Sequence, residues 1–444
     1  MILVIAAALV AQLAADPALS VTPAAEESPA ADTTPSAEKS SAYSRAISVL
    51  EGDSHSVVLR SDYFSSSTQL DDESDFLGAT LQGKVAYSMA DIFRLNLEGR
   101  VINASLGRGA NTDTVLLEGY VSAHLNAADV RLGKQIVPWG RADGLNPTDN
   151  LTPRDYTVML PFEEDQRLGV TALKVDGYLG DEYTLTAFTT PYFTPTVIPL
   201  PKDSNIYVDT RPARTLADSV AALKLNRSGG GSLDWSISYY HGYSLLPSAR
   251  SLGYSGGAPV IELRYDPINV LGADFARNFG RYGVRGEVAY TWTQDSAGTD
   301  PLVTNPFIYY ILGADRTFSE SLNVNLQLLG INVQRYNDPY AISDPALRVL
   351  AIENAIIHRQ QDPSTYGMTA RISNKWLNDA LEVELLVIHY FDRSNSYVRP
   401  LITYAFNDHV KGSVGAKVYR GREDTFFGGL RKNQGVFAEV RYSF

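Results

Sequence analysis

The chain has 444 residues and a formal net charge of −12, from 38 Lys and Arg against 50 Asp and Glu. It contains no cysteine, which excludes disulfides, thiolate catalysis, Cys-ligated zinc, iron–sulfur clusters and covalently attached c-type haem. An acidic chain without basic clusters argues against nucleic acid as a partner. With 26 Tyr, 16 Phe and only 4 Met, the composition favours strands over helices.

The first 53 residues differ in composition from the rest of the chain. Residues 1–15 form an apolar run that is too short to span a membrane, and we predict a secretory signal peptide, cleaved after Ala15. A buried N-terminal helix is the alternative. Residues 16–53 begin with a stretch rich in Ala, Pro, Ser, Thr and Glu, which cannot bury a core. We therefore predict a flexible, disordered periplasmic tether there, with a short helix at residues 41–52.

From residue 54 to residue 444, apolar and polar residues alternate over stretches of about ten, a period of two that predicts β-strands. In one stretch the apolar face carries Phe93, Leu95, Leu97, Gly99 and Val101, and the polar face carries Arg94, Asn96, Glu98 and Arg100. The strands of a soluble sandwich also alternate, but they are usually shorter, about five or six residues.

The connections between these strands alternate between short turns and long loops. Short turns lie at residues 88–91, 126–129, 177–181, 227–232, 278–280, 318–321, 377–380 and 407–409. The other set lies at 65–75, 104–113, 137–165, 190–214, 242–266, 294–305, 337–364, 392–395 and 421–433, and only 392–395 is short. Together they join 18 strands, or 16 if one hairpin is merged. This pattern is typical of bacterial outer-membrane barrels, so the predicted fold class is all-β: a transmembrane antiparallel β-barrel over residues 54–444.

Two features of the aromatic residues fit a membrane barrel. Aromatic side chains gather near predicted strand ends, as interfacial girdles do: Trp235, Tyr239, Tyr240, Tyr290, Trp292, Phe307, Tyr309, Tyr310, Tyr390, Phe391 and Tyr397. The last strand places Tyr442 and Phe444 on its apolar face. A terminal aromatic on such a strand is similar to the assembly signal of outer-membrane proteins, so we expect the barrel-assembly machinery to recognise it.

Two segments carry a family resemblance. Residues 130–156, VRLGKQIVPWGRADGLNPTDNLTPRDY, resemble the LGxQ–WG–NP segment of alginate-export-like outer-membrane porins and related uncharacterised barrels. Residues 265–290 resemble a later hairpin of that family, in which a G-x-D strand turns into an R-x-E strand. The resemblance implies an 18-stranded monomeric channel. It implies no substrate, because the dense arginine lining expected of an alginate conduit is not matched here.

The predicted inward faces of the strands carry charges of both signs. The lumen-lining residues on this register include Arg94, Glu98, Arg100, Arg131, Arg285, Glu287, Lys411 and Lys417. Such charges either select solutes or pair across neighbouring strands to stiffen a wet interior. The six histidines are scattered without metal-ligand spacing, and no nucleotide-binding fingerprint occurs, so we expect neither a metal site nor a cofactor.

Two external loops have features of their own. Asp344 and Pro345 are a good N-cap and first helical residue, and Leu347, Leu350, Ala351 and Ile357 recur at helical spacing. This pattern predicts a short amphipathic helix, which either packs on neighbouring loops or acts as a lid. The third external loop, residues 137–165 and called L3 below, is longer than a hairpin needs and is stiffened by Pro138, Pro147 and Pro153.

We predict that L3 lies inside the pore and forms its constriction. The residues expected to contact solute there are Trp139, Arg141, Asp143, Asp149, Arg154, Asp155 and Tyr156, since aromatic faces and charges of both signs can orient a polar solute. A rigid turn that braces the wall with Arg–Asp pairs is the alternative.

The sequence therefore predicts a channel in the outer membrane of a Gram-negative bacterium, which passes small polar solutes or exports a polymer. Its expected partners are outer-membrane lipid, the barrel-assembly machinery and, for polymer export, a periplasmic protein. A non-conducting scaffold is one alternative. A barrel hydrolase is another, for which Glu118, Ser122 and His124 are the best candidates, although steps of about 7 Å along one strand do not favour a hydrogen-bonded pair. We do not expect an enzyme.

Overall fold

Long strands with apolar outward faces build the molecule. The computed structural model describes residues 54–66, 75–90, 92–103, 112–158, 160, 162–198, 200, 205–229 and 233–444. The predicted signal peptide, tether and short helix lie outside these residues. Among the described residues, no helix has the length and apolarity needed to cross a membrane.

Eighteen strands form one antiparallel sheet that closes on itself. Numbered in chain order with three strands of a separate sheet, they are β1 Ser54–Ser66, β2 Asp75–Ala90, β3 Phe93–Asn103, β4 Asp113–Leu125, β5 Ala128–Gln135, β6 Val170–Leu179, β7 Tyr183–Thr190, β9 Val220–Arg227, β10 Asp234–Tyr243, β13 Pro267–Phe279, β14 Tyr282–Thr293, β15 Phe307–Phe318, β16 Leu322–Val333, β17 Ser364–Trp376, β18 Leu381–Tyr390, β19 Asn395–Ala405, β20 Val410–Arg420 and β21 Gly435–Ser443. The prediction of 18 strands is confirmed.

The first and last strands close the barrel. β21 pairs antiparallel with β1, with Arg441 opposite Arg60 and Glu439 opposite Asp62. The backbone N–H of Phe444 donates to the carbonyl of Val57 at 2.9 Å, which extends this seam beyond the last strand residue. Closure leaves no unpaired strand edge in this sheet, which removes the usual site of edge-to-edge aggregation.

The two ends of the barrel differ as the connection lengths predict. The eight short turns predicted from the sequence lie at the end that also holds the start of β1 and the end of β21, here called the turn end. The short turn between β18 and β19 lies at the opposite end. The longer loops lie at the opposite loop end. They carry a second sheet of three strands, β8 Ile206–Thr210, β11 Ser248–Ser255 and β12 Ala258–Arg264.

The predicted helix is confirmed as α1, Pro345–Ile357, in the loop between β16 and β17. The Asp344 carboxylate accepts from the backbone N–H of Leu347 at 2.9 Å, which satisfies one of the free donors at the helix start. The Asn354 amide exchanges hydrogen bonds with the backbone of Ala249 in β11, at 2.8 and 3.0 Å. Ile356 and Ile357 are buried in an apolar cluster with residues of the barrel wall.

The outward face of the barrel is apolar. Side chains such as Leu77, Leu132 and Leu328 are 78%, 62% and 61% exposed, respectively. Exposed apolar surface on this scale needs a hydrocarbon environment to cover it. Arg60, Arg100 and Glu439 occupy the inward face and are nearly fully buried.

The aromatic girdle was predicted incorrectly at four positions. Tyr240, Tyr309, Tyr390 and Tyr397 are 2%, 7%, 2% and 0% exposed and lie in apolar clusters inside the barrel. Residues that are adjacent in a strand point to opposite faces, so Tyr239 and Tyr240 cannot both face lipid. The position of a residue near a strand end does not determine whether its side chain faces the lipid or the interior of the barrel. Tyr239, Trp292 and Phe391 do face outward, at 43%, 37% and 51% exposure.

Candidate functional site

L3 crosses the bore of the barrel. It leaves the wall between β5 and β6, yet Asp143 forms an ion pair with Arg371 of β17 at 3.0 Å. Around the closed sheet β5 is the fifth strand and β17 the fourteenth, nine strands apart among 18, so the two lie on opposite sides. Farther along the loop, Asp165 contacts β1 and β21. L3 therefore lies inside the barrel, and charged residues attach it to three regions of the wall.

The first attachment is at Arg141. Its Nε donates to Asp274 of β13 at 2.6 Å, and its Nη2 donates to Asn226 of β9. Lys224 of β9 lies 3.6 Å from the other carboxylate oxygen of Asp274. Asp274 is 4% exposed, so these charges interact where water screens them little.

Glu287 of β14 fixes the backbone of L3 near the same point. Its carboxylate accepts from the N–H groups of Arg141 and Ala142, the latter at 2.6 Å, and from the Thr148 hydroxyl at 3.1 Å. Gly140 has φ +106°, and an added Cβ would lie 2.5 Å from the same carboxylate. The glycine of the Trp-Gly pair in the sequence motif therefore has a structural reason. Only glycine permits both the positive φ value and the close approach of the Glu287 carboxylate.

The second attachment is at Asp143. The Gln327 amide of β16 accepts from the Asp143 N–H at 3.0 Å and donates to the Asp143 carbonyl at 2.6 Å. Arg371, the ion-pair partner of Asp143, also lies 3.6 Å from Glu384 of β18. Glu384 accepts in turn from Arg399 of β19 at 2.9 Å.

The third attachment is at Asp165, at the end of L3. Arg60 of β1 binds its carboxylate through both terminal nitrogens, with the Nη2 contact at 3.0 Å. Arg441 lies 3.6 Å from the same carboxylate, and Arg100 donates to the Asp165 carbonyl oxygen. Paired donors on one carboxylate give geometric specificity as well as attraction.

Each attachment joins opposite charges. By formal charge, the wall residues Asp274, Glu287 and Lys224 sum to −1, and Arg141 neutralises them. Arg371, Arg399 and Glu384 sum to +1, which Asp143 neutralises. At the third attachment Asp165 lies among three cations of the wall, Arg60, Arg100 and Arg441. A charged residue of L3 thus meets opposite charge on the wall at all three attachments.

The other predicted constriction residues pack within L3 and against nearby loops. Trp139, Arg154, Asp155 and Tyr156 are 5%, 7%, 5% and 6% exposed. Lys224 lies 5.6 Å above the Trp139 ring, and the Asp155 carboxylate accepts from the Thr157 N–H at 2.9 Å. In this structure the rings of Trp139 and Tyr156 are therefore covered by neighbouring side chains. Asp149 lies near Arg154 and Arg167.

The predicted lumen-lining residues lie on inward faces and most contact other wall residues. Glu98 lies 3.3 Å from Lys84, Arg285 pairs with Asp315, and Arg131 lies 5.5 Å from the Tyr120 ring centroid. Arg94 donates to the Ser54 hydroxyl at 3.2 Å. On β20, Lys411 and Lys417 lie on the face opposite to that of Val410 and Val418.

Three residues at the attachments of L3 were not predicted from the sequence as site residues: Arg60, Asp165 and Arg399. In β1, Leu59 and Tyr63 lie on one face, and Arg60 and Asp62 lie on the other. This alternation is the signal that predicts an inward-facing Arg60. Asp165 was identified only as the end of L3, and its role depends on contacts with strands at both ends of the sequence.

The proposed hydrolase residues have separate partners. The Ser122 hydroxyl donates to the Arg94 carbonyl at 3.4 Å, and His124 contacts Asp129 at 3.0 Å. The Glu118 carboxylate accepts from the Ile136 N–H at 2.9 Å. The structure therefore does not bring the three side chains together as a unit.

L3 separates two cavities inside the barrel. The larger one, about 560 Å³, lies towards the turn end and is called the vestibule below. Its charged lining residues are Glu164, Asp165, Glu320, Arg371, Lys375, Asp379, Glu382, Glu384, Lys411, Glu439 and Arg441. The smaller one, about 110 Å³, lies on the loop-end side and is called the upper cavity below.

Several solved structures share the fold. OccK5 (OpdH) of Pseudomonas aeruginosa superposes with a TM-score of 0.54 at 10% identity, covering 89% of this chain and 98% of that one. OccD3 (OpdP) of the same organism gives 0.53 at 10% identity, covering 88% and 92%. OccAB4 of Acinetobacter baumannii gives 0.52 at 9% identity, covering 88% and 97%. At such identities the likeness shows the fold alone.

Sequence comparison gives the family. No curated protein sequence matches the chain. The model of a family described as "Protein of unknown function (DUF1302)" matches residues 48–382, which is more than half of the chain. That match does not confirm the resemblance to alginate-export-like porins. The protein belongs to the DUF1302 family.

Proposed function

We propose that this protein is a channel for small polar solutes and that L3 is its constriction. The observation that supports the proposal most directly is the path of L3 across the bore, from β5 to the ion pair between Asp143 and Arg371. The inward faces of the strands are polar and charged, which suits a water-filled path. A loop lined by charges of both signs can select solutes by orienting them.

We further propose that the barrel resides in the outer membrane of a Gram-negative bacterium, as a monomer surrounded by lipid. The apolar outward face and the division into turn end and loop end support this placement, with the turn end in the periplasm. A signal peptide and recognition by the barrel-assembly machinery belong to the same proposal.

Small solutes fit the interior better than a polymer does. L3 is attached at three points, and the larger space beside it, about 560 Å³, is of the size of small-molecule sites, while the other is only about 110 Å³. A polymer of the kind that alginate-export-like porins carry would have to displace L3 from all three attachments. We therefore propose diffusion of small polar molecules, without a periplasmic export partner.

The constriction is tested by replacing Arg141 and Arg154 with alanine, singly and together, and recording single-channel conductance and ion selectivity in planar bilayers. We expect Arg141→Ala to raise the conductance, because the loss of its ion pair loosens L3. Arg154→Ala removes a positive side chain beside Asp149, so the ion selectivity of the channel should shift towards cations. Unchanged conductance and selectivity in assembled barrels would identify L3 as a brace.

Solute range is tested by swelling of liposomes that contain the purified protein, with a panel of sugars, carboxylates and aromatic solutes. Swelling that falls with solute size is the expected result. Assembled barrels that show neither ion conductance nor swelling would identify a non-conducting scaffold instead.

A further inference from the structure

Two arginines on the outward face of the barrel lie against aromatic rings. The guanidinium carbon of Arg316 lies 4.8 Å from the centroid of the Tyr282 ring and 4.5 Å from that of the Phe318 ring. The guanidinium carbon of Arg277 lies 4.9 Å from the centroid of the Phe279 ring. The Nη1 of Arg316 donates to the Tyr282 hydroxyl at 2.5 Å, and its Nε is buried without a hydrogen-bond partner in the part of the chain that the structure describes. These five residues are called the turn-end patch below.

The turn-end patch lies where the apolar outward face of the barrel meets the short turns. Alternation places Arg277 on the same face of β13 as Leu271, which is 46% exposed. It places Arg316 on the same face of β15 as Leu312, which is 52% exposed. Each arginine is two residues from the end of its strand at the turn end. This is the depth at which a membrane barrel meets lipid headgroups.

The two arginines flank small side chains. Arg277 is opposite Val284 of β14, and Val284 is opposite Ala314 of β15. Arg316 follows Ala314 by two residues along β15. With strands about 4.8 Å apart and a rise of about 3.4 Å per residue, the Cα atoms of the two arginines are separated by about 12 Å. Long side chains on both sides of this gap can reach one small anionic group between them.

The carboxylates of this part of the wall are engaged elsewhere. Asp315 of β15 pairs with Arg285 of β14. Glu320, in the turn after β15, lines the vestibule inside the barrel. Asp274 of β13 forms its ion pair with L3. None of the described carboxylates forms an ion pair with either arginine of the turn-end patch, whose lipid-facing groups are cationic or aromatic.

We propose that the turn-end patch binds an anionic phospholipid of the inner leaflet, with the lipid phosphate between Arg277 and Arg316. Guanidinium binds phosphate through paired donors, and the aromatic rings hold the guanidinium groups in place. The apolar outward face, including Leu312, receives an acyl chain. The proposal goes beyond the channel function and rests on the proposed membrane placement, with the turn end in the periplasm.

A headgroup with a net negative charge fits the turn-end patch better than a zwitterionic one. The two arginines carry two positive charges, and Arg281, exposed in the turn between β13 and β14, adds a third. Phosphatidylcholine would bring its own cation to a patch that already has an excess of positive charge. Phosphatidylglycerol brings the phosphate without that cation.

The test measures lipid bound to the purified protein in detergent by native mass spectrometry. Phosphatidylglycerol is compared with phosphatidylcholine that has the same acyl chains, and inorganic phosphate is a third probe. We expect phosphatidylglycerol to bind about tenfold more tightly than phosphatidylcholine, because each basic side chain near the headgroup attracts net negative charge. Phosphate should bind more weakly than phosphatidylglycerol, because it has no acyl chain. Equal binding of the two lipids would overturn the proposal, and so would phosphate binding as tight as that of phosphatidylglycerol.

Variants then assign the lipid to the turn-end patch. Arg277→Gln combined with Arg316→Gln should reduce the affinity ratio of the two lipids to about one, whereas Arg277→Lys combined with Arg316→Lys should keep part of it. The control Arg420→Gln removes an exposed, outward-facing arginine of β20 at the loop end and should leave the ratio unchanged. A full ratio in the double glutamine variant would contradict the proposal, and so would an equal reduction in the control.

The single variant Arg277→Gln keeps the test decisive if the double variant does not assemble. Arg277 is exposed, so its replacement should leave the barrel intact. We expect this variant to lower the lipid affinity ratio about threefold, since one of the two cations remains. An unchanged ratio would contradict the proposal.

Failure of the lipid site and failure of the membrane placement give different results. Barrels that enter phosphatidylcholine vesicles but bind the two lipids equally would refute the site and leave the placement in place. Barrels that enter vesicles of neither lipid would refute the placement, and the site with it. A preference for phosphatidylglycerol without ion conductance would support the site and refute the channel.

Discussion

At the scale of single residues, Glu287 determines how L3 sits in the bore. One carboxylate accepts from two successive backbone N–H groups and from a hydroxyl of the loop, and it is 3% exposed. Buried carboxylates with several donors are costly to replace, since the donors lose their partner while they stay buried. Gly140 allows this approach, so the pair forms one structural unit although the two residues are far apart in the sequence.

Replacement of Glu287 by glutamine should therefore loosen L3. We expect a loss of about 1–3 kcal/mol of stabilisation at this contact and a higher, noisier single-channel conductance. Glu382→Gln is the matched control, because Glu382 lines the vestibule and forms no hydrogen bond or ion pair with L3 in the described structure. Equal conductance traces for Glu287→Gln and wild type would show that this carboxylate does not hold the loop.

At the scale of elements, α1 depends on local and distant contacts together. Asp344 and Pro345 start the helix by rules that act within one turn. Its position depends on the Asn354 hydrogen bonds to β11 and on Ile356 and Ile357 in the apolar cluster. The helix thus packs both on a neighbouring loop and against apolar side chains of the barrel wall.

Deletion of residues 347–357 tests whether α1 acts as a lid that limits flow. We expect a higher conductance, because the apolar cluster at the barrel mouth loses the helix residues that fill it. Heat-modifiable migration on gels should verify that the deletion variant forms a barrel. An unaltered conductance would assign α1 a packing role only.

The histidine that follows α1 should make its docking sensitive to acid. Burial lowers the pKa of His358 to about 4, below the ordinary value of 6.5. Between these two values an undocked loop binds the proton more readily than the docked loop, so docking weakens as the pH falls through this range. Hydrogen exchange of the α1 amides, corrected for the intrinsic rate, should therefore be faster at pH 5 than at pH 7.

The variant His358→Gln should show a smaller pH dependence of that exchange. His409→Gln is the control, because His409 is exposed in a short turn at the other end of the barrel. The prediction is wrong if wild type and His358→Gln respond equally to acid.

At the scale of the whole molecule, closure of the barrel depends on the pairing of β21 with β1. The Phe444 N–H bonds to the Val57 carbonyl, and its ring packs edge-on against Tyr442 with centroids 4.5 Å apart. Phe444 is 66% exposed on the outward face, so its ring contributes to the apolar surface at the seam.

Deletion of Phe444 should lower the amount of assembled barrel in the outer membrane, because it removes a seam hydrogen bond and the aromatic that we expect the assembly machinery to recognise. The measurement is heat-modifiable protein in the membrane fraction, and Phe444→Trp, which keeps an aromatic, should stay close to wild type. Wild-type amounts in the deletion variant would refute this role.

The sequence by itself determined the wall of the barrel. The period of two identified strands and their inward charges, such as Arg94 and Glu98, because each side chain's face follows from its position in the strand. The alternation of turns and loops determined the strand number, and the signals around Asp344 determined α1. All of these depend on neighbours within about one turn or one hairpin.

Only the tertiary structure decided what fills the barrel. Asp143 meets Arg371, Asp165 meets Arg60, and Arg359 lies between two tyrosines because closure of the sheet brings distant segments into one bore. The sequence predicted that L3 enters the pore, but it did not predict that Trp139 and Tyr156 would be covered, since their burial depends on loops folded from elsewhere. Side-chain facing in a strand is a local property, whereas contacts across a bore depend on the closed geometry of all 18 strands.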